Sequence, residues 1–497
     1  MNLTNQERFI AFTVAIAFCI TTLLVILQGM QWGIMAGLTT IVVALCYRYP
    51  RQALWLFLVY LPFAGTIGYS LNSVYQASGA YITFTNTYVL IHLVKDVFYF
   101  PALIAIVIGS SYLKKLRGTA KSILLAGLVL LLVCLLTLFL VNLPQQLANP
   151  GTDKSFLMGI IGLKVLVGYI PFLICGYYLV RDRLDLSFIL RLHLILILIC
   201  CILCIVQYWF LVTGICLGNS DLVPPANTRV TLQARCFVGG SLLYNPQQKL
   251  ISLPGTFVAP WQWAWFLIAG SFLAMGTYLS ESSRLWRTIS LITVGLVLVA
   301  AIISGQTTAT LLVPIIFLIL IVVTESNKKR LSFKLFWVIL LLFLIANNFG
   351  IFGSALDDII ARWQYTAPQE FIIRQFSWIN NTGIEILGSG LGKATSAARR
   401  WGEIKLIETF YPKLLYQIGW LGTLAFLMLL TITTIVTFKK YRLLENKSLK
   451  RLGICLWIFI LLISYNTYYY PLLVDPVAIY YWLFAGVLLK LPELEKS

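Results

Sequence analysis

The polar stretch 351–410 holds three features that can do chemistry: a carboxylate, Glu408, at its end; two guanidiniums, Arg362 and Arg374; and a glycine-rich turn, "GSGLG", at 388–392. The acid stands at the doorstep of a long apolar run, in "ETFYPKLLYQIGWLG" (408–422). A carboxylate at a membrane edge can take a proton from a reacting hydroxyl. A guanidinium can grip a phosphate or a carboxylate through two parallel hydrogen bonds. Each residue also has a plainer use. Glu408 can satisfy the positive end of the helix that follows it. Arg362 and Arg374, placed ahead of an expected short amphipathic helix, can be surface charges at a membrane interface. "GSGLGK" does not read as a nucleotide-binding P-loop, because position 387 is Leu and no βαβ pattern surrounds it. It predicts a tight turn that folds the loop backbone onto neighbouring apolar segments.

One more ionisable group lies in apolar sequence. Lys164 falls about eight residues into the run 156–180, roughly 12 Å at 1.5 Å per residue. An intramembrane lysine is costly and points to a functional site by default; here it could bind a diphosphate or a carboxylate. Snorkelling of its ammonium to head groups is the competing reading.

These residues must be positioned by membrane spans. Of the 497 residues 60% are hydrophobic and 11% charged, with a mean hydropathy of +0.88. No soluble domain of that size could bury so much apolar surface in one core. Apolar runs recur from 9–27 to 474–490, each long enough for a bilayer core of roughly 30 Å. They give an all-α integral membrane protein with about 12–14 transmembrane helices. Fourteen are read when the short runs 335–350 and 452–466 are included, and twelve with re-entrant pieces fit as well. The first run lacks a small-residue cleavage site and reads as a retained span.

The formal net charge is +19, but the Lys and Arg residues gather in hinges between apolar runs. The hinges are 114–121, 181–191, 281–287, 327–334 and 439–451. Under fourteen spans all five fall on one side, which the positive-inside rule makes cytoplasmic together with both termini. That pattern argues against nucleic acid as a partner, since no interleaved basic and aromatic surface is present. Two long loops, 214–255 and 351–410, and a shorter one at 70–94 then lie outside. Their Trp, Tyr, Phe and Ile content predicts short helices on the membrane surface. Cys216 and Cys236 both fall in the first long loop, where an oxidising exterior allows a disulfide; the other eight cysteines lie in apolar runs. With only His92 and His193 in the chain, a histidine-based metal site is not expected. The aromatic run "SYNTYYYPLLVDPVAIYYW" (464–482) and "WQWAW" (261–265) suit interfacial belts or sugar stacking.

Several segments occur together in a recognisable order. "GLKVLVGYIPFL" (162–173), "LPGTFVAPWQWAWFL" (253–267) and "ISGQTTATLLV" (303–313) precede Arg374 and Trp378, Gly388-Gly390-Gly392, Glu408-Thr409-Phe410-Tyr411 and "LLYQIGWLG". In this order they resemble the bacterial O-antigen ligase and polysaccharide polymerase family of the cell envelope, over about residues 156–437. Counting back eleven from Gly419 reaches Glu408, where ligase members carry a His. Ser252 stands where an Arg often precedes "GTF", and Gln306 and the threonines after it replace the arginine of an "SGSR" element. Arg229 and Arg235, in "RVTLQARCFVGG", are the nearest substitutes.

The resemblance implies a fold like that of GT-C glycosyltransferases and a cofactor-free, metal-independent transfer. A glycan would pass with inversion from a polyprenyl diphosphate to a hydroxyl of a glycan or lipid acceptor, on the outer face of the bacterial cytoplasmic membrane. Glu408 would be the base, with Arg374 and either Arg229 or Arg235 on the diphosphate; Arg362, Lys164 and Tyr411 complete the expected binding set. The implied organisation is an N-terminal bundle (1–155), a ligase- or polymerase-like core (156–437) and a C-terminal hairpin (438–497). Some members of the family carry the label of bicarbonate transporter, so passage of a small solute is the alternative. A transporter should show inverted repeats and broken helices with polar groups at the midplane; no internal repeat is visible.

Overall fold

A computed structural model describes residues 5–69, 85–109, 112–150, 154–325, 327, 329, 368–383 and 385–496. The expected span 335–350, most of the loop 70–94, and Arg362 lie outside the described residues. The chain divides into two compact units, 1–114 and 115–497.

In the first unit, α1 (Asn5–Gln28) and α2 (Met30–Arg48) form an antiparallel hairpin, and α3 (Pro50–Tyr60) and α4 (Thr85–Gly109) pack on it. Phe12, Phe18 and Ile26 of α1 face outward, an arrangement that suits lipid and would be an aggregation hazard in water.

The second unit continues from α5 (Tyr112–Thr137) through a π-helical turn (138–142) into α6 (Leu143–Ala148). The run 156–180 is not one helix. It forms α7 (Ser155–Val167) and α8 (Phe172–Leu179), separated by turns at 168–171. Pro171 lacks a backbone N–H, so a regular helical ladder cannot run through it. Next come α9 (Arg183–Val212), a short antiparallel hairpin of β1 (Leu243–Asn245) and β2 (Leu250–Ser252), α10 (Pro260–Ser280), α11 (Arg284–Ile303) and α12 (Thr307–Thr324). After α13 (Pro368–Thr382) the chain closes with α14 (Phe410–Arg442), α15 (Lys447–Tyr465) and α16 (Val477–Lys496).

Among the described residues, eleven helical stretches, α7 and α8 counted together as one, are long and apolar enough to cross a membrane, by length and composition. This is the architecture of a multi-pass membrane protein. Helices α10 and α16 form its centre, with 83% and 89% of their most apolar windows buried. The surrounding helices turn Leu, Ile and Val outward. Backbones come closest where α8 crosses α16: a Cβ at Gly176 would overlap the Leu483 carbonyl, and one at Gly486 the Leu173 carbonyl. Small residues at such crossings let membrane helices approach on van der Waals contact alone.

Three of the basic hinges meet at one end of this unit. Arg191 donates two hydrogen bonds, 2.8 and 2.9 Å, to the Glu281 carboxylate, and its guanidinium lies over Trp286. That bidentate pairing holds the Glu281 carboxyl below the usual carboxylate range. Arg183 donates to the Leu494 carbonyl, and the Glu445 and Asn446 N–H groups donate to Glu495. Helix α10 runs from this end to the aromatic end at Trp261. Its 21 residues span about 30 Å, the thickness of a bilayer core.

The loop 214–255 does not form the expected surface helices. It folds as turns, a 3-10 turn (Ala226–Thr228) and the β hairpin. Buried Asn219 organises it, donating to the Ala226 and Arg229 carbonyls and accepting from the Tyr244 N–H at 2.8–3.0 Å. Cys216 and Cys236 are joined in a disulfide, with Cα atoms 5.7 Å apart, and Gln207 of α9 donates to the Cys236 and Val238 carbonyls. Replacing both cysteines by Ser should remove about 3 kcal/mol of stabilisation, the loop-closure value for a ring of this size. Limited proteolysis of purified protein checks this: cleavage between 214 and 255 should accelerate, and unchanged cleavage would show that the side-chain network alone holds the lobe.

Candidate functional site

The stretch 385–409 is fastened to helix ends by its backbone. Asn142, fully buried in the π-helical turn, donates to the Leu391 carbonyl and accepts from the Leu391 N–H at 3.0 and 2.9 Å. Gln145 donates to the Ser389 carbonyl. From α14, Gln417 accepts from the Gly392 N–H and the Thr395 hydroxyl, and the Tyr416 carbonyl accepts from Ser389. Helix α14 is interrupted at Gly419 (φ 63°, ψ −166°), which frees backbone groups there: the Ile386 carbonyl accepts from the Leu421 N–H at 3.2 Å.

Gly419 lies nine residues into α14, about 13 Å along its axis. Irregular backbone at such depth is tolerated when protein satisfies its polar groups, and Asn142, Gln145 and Gln417 do that here. The glycine turn is therefore the packed turn expected from its spacing. The N–H groups of Ser389, Leu391 and Gly392 are committed to protein oxygens, so they do not cradle a phosphate.

The same stretch delivers Glu408 to the start of α14. Thr409 bridges to Tyr468 and Tyr469, and the Phe410 N–H donates to the Thr467 carbonyl at 3.0 Å, joining this segment to the turn between α15 and α16. The Glu408 N–H donates to the Gln375 side chain of α13. Glu408 is half-buried and lies close enough to act electrostatically on Lys413 and on Tyr468, Tyr469 and Tyr470. Lys413 is 4% exposed, with its ammonium 3.7 Å from the Tyr470 ring centroid. An aromatic face partly replaces the hydration a buried ammonium loses. Burial, reinforced by the Glu408 charge, pushes the Tyr470 hydroxyl up to about 12, so it stays a neutral donor.

Rings extend this cluster to both sides. Trp261 meets Tyr470 edge to face at 5.3 Å, and Phe371 of α13 meets Tyr468 at 6.0 Å. The aromatic runs 261–265 and 464–482 thus converge. The Thr409 hydroxyl is buried without a hydrogen-bond partner.

The other expected site residues are distributed unevenly. The Tyr411 hydroxyl donates to the Ser464 carbonyl at 2.7 Å, and Ser464 in turn bonds the Tyr481 hydroxyl. Arg374 lies in the middle of α13 and not ahead of a helix, because Pro368 opens that helix six residues earlier. It is exposed, next to the residues by which α13 reaches its neighbours: Phe371 to Tyr468, Gln375 to Glu408 and Trp378 to Tyr416. Arg229 is exposed and Arg235 half-buried beside Cys236; both belong to the disulfide-pinned lobe. Lys164 is half-buried, one turn before the break that ends α7. Ser252 and Gln306, the two positions without an expected arginine, hydrogen-bond to each other at 2.7 Å.

Sequence reading passed over Lys413, Asn142 and Gln417. A lysine five residues after an acid, already inside an apolar helix, was the available signal for the first. A lone amide inside or just past an apolar run was the signal for the others. Among the described residues, no three His, Cys, Asp or Glu side chains are grouped to hold a metal ion. The chain matches no protein-family model and no curated protein.

Proposed function

We propose that the protein is a membrane glycosyl transferase, polymerising or ligating polyprenyl-diphosphate-linked glycans at the outer face of a bacterial cytoplasmic membrane. The observation that carries this reading is the gathering of half-buried Glu408 and buried Lys413 with the rings of Trp261, Phe371, Tyr468 and Tyr470. Aromatic faces suit sugar rings, and a carboxylate beside them suits an acceptor hydroxyl.

In the proposed step the acceptor oxygen bonds to the anomeric carbon as the bond from that carbon to the diphosphate oxygen breaks. The hydroxyl proton passes to Glu408, and the polyprenyl diphosphate leaves with the electron pair. Attack opposite the leaving group inverts the anomeric configuration. Lys413, buried against the Tyr470 ring, adds a basic group beside the carboxylate. Arg374 is exposed on α13 one residue before Gln375, which accepts from the Glu408 N–H; it, Arg229 and Arg235 are the candidates for the diphosphate, whose developing charge cations stabilise in a shielded site. Arg362 and Lys164 complete the proposed binding set, and membrane lipids surround it. Tyr411 also belongs to the proposed set, its hydroxyl tying α14 to α15.

The alternative, passage of a small solute such as bicarbonate, draws on the broken spans at 168–171 and Gly419, since discontinuous helices build many transporter sites. At Gly419, however, the 385–392 backbone fills the interruption: an added Cβ would overlap the Ile386 and Glu385 carbonyls. That packing favours an anchored site over a pathway. Deletion of the gene in its native host separates the readings. Unpolymerised single repeat units should accumulate if the protein is a polymerase, and long unattached polymer if it is a ligase. Unchanged glycans, together with labelled-solute uptake into proteoliposomes that is lost in Lys164→Met, would overturn the transferase reading.

A further inference from the structure

Between Glu408 and the glycine turn lies an open basin of about 910 Å³ lined by Lys154, Arg399, Arg400, Trp401, Gly402, Glu403, Ile404 and Lys405. Its rim is anchored. The Lys154 N–H donates to the Trp401 carbonyl at 2.8 Å, the Lys405 N–H donates to the Lys393 carbonyl at 2.8 Å, and Ala398 between them is fully buried. The four cations therefore stand on fixed backbone, and Lys154, Arg399 and Lys405 are exposed.

Three features narrow the occupant. Among the described lining residues four cations stand against one carboxylate, Glu403, a balance that favours an anion. The volume falls in the range of small-molecule sites, roughly 300–1,000 Å³, and far exceeds the needs of a single phosphate. Trp401 offers a half-buried ring face, and Glu403 offers acceptors that suit hydroxyl groups and repel a bare polyanion. A cation set, a ring face and a hydroxyl acceptor together match a sugar acid.

Position adds a fourth argument. Residues 403–408 have no regular structure, and the three residues from Lys405 to Glu408 span at most about 11 Å when extended. A short oligosaccharide covers that distance, so one chain could lie in the basin and end at the carboxylate.

We infer that the basin binds an acidic oligosaccharide segment, and that the glycan handled at Glu408 carries carboxylate groups. The second clause rests on the transferase reading; occupancy of the basin does not, and the experiment reads occupancy directly. Purified full-length protein in neutral detergent is titrated by calorimetry with tetragalacturonate, maltotetraose and tripolyphosphate. Tetragalacturonate should bind about tenfold more tightly than maltotetraose, the ratio that one or two partly exposed ion pairs supply. Arg399→Gln combined with Lys405→Gln should erase that preference, whereas Lys439→Gln combined with Lys440→Gln, an equal loss of charge elsewhere, should keep it. Trp401→Ala should weaken tetragalacturonate and leave tripolyphosphate unchanged. Hydrogen exchange on the unsubstituted protein should show protection of 396–405 by tetragalacturonate, a readout that does not depend on the variants folding. Equal binding of the two sugars, loss of preference in the Lys439/Lys440 control, or absence of protection at 396–405 would overturn the inference. So would tighter binding of tripolyphosphate than of tetragalacturonate, which marks a bare phosphate site, or protection seen only with phosphatidylglycerol vesicles, which marks a lipid head-group site.

Discussion

If the protein is the proposed transferase, Glu408→Gln will stop glycan assembly while the protein accumulates to its normal level. The amide keeps the shape of the side chain, and the anchoring bond to Gln375 uses the Glu408 backbone N–H, so the local fold should survive. What disappears is the ability to take the acceptor proton. Loss of a positioned general base lowers rates by about 10²–10⁴-fold, and at that level polymer vanishes from a gel ladder. Glu408→Asp keeps the carboxylate but withdraws it by one methylene, and should retain partial activity. The plainer reading makes a different prediction. If Glu408 only complements the N-terminal end of α14, its charge contributes about 0.3–1 kcal/mol of stability and assembly continues. Ladder length in the complemented deletion strain, read beside thermal stability of the purified variant, decides between them. A near-normal ladder in Glu408→Gln would remove the base from the mechanism.

The parts of this site differ in how visible they are in one dimension. Apolar runs announce helices because a spanning segment must be apolar for about twenty residues whatever it packs on. Most spans are therefore legible to within a few residues, as are the cysteine pair and the tight turn at 388–392. The Glu408 position followed from its place just before a helix. Interruptions inside helices were not visible. Gly419 looks like any small residue in a membrane helix, where glycine is common, and what makes it special is the Ile386 carbonyl arriving from 33 residues upstream. Lys413 was hidden for the same reason: its significance comes from Tyr470, which local spacing cannot bring to it. The lobe 214–255 misled in another way. Its aromatic content suggests surface helices, but a disulfide and two buried asparagines, Asn219 and Asn245, allow a compact fold of turns whose order needs no helical periodicity.

Gly419→Ala should damage the protein more than any other single-methyl addition in α14. Its backbone sits at φ 63° and ψ −166°, a region essentially reserved for glycine, and holding an alanine there costs about 1–3 kcal/mol. The added methyl would also overlap the Ile386 and Glu385 carbonyls and crowd the Gly388 N–H, all backbone atoms that cannot rotate away. Relief requires α14 to straighten or the 385–392 turn to lift. Lifting the turn breaks the Ser389 bond to Tyr416 and pulls on Leu391 and Gly392, whose partners are Asn142 and Gln417. The segment carrying Glu408 is continuous with that turn, so glycan assembly should fall with stability. Gly295→Ala is the matched control: its methyl meets nothing within 4 Å in α11, and removing a helical glycine should stabilise by about 0.5–1 kcal/mol. Melting temperature in detergent and hydrogen exchange at 385–395 measure both. A Gly419→Ala protein that melts with the wild type and keeps 385–395 protected would show that the turn and the helix break are independent, and that Glu408 owes its position to Gln375 and the 467–469 turn.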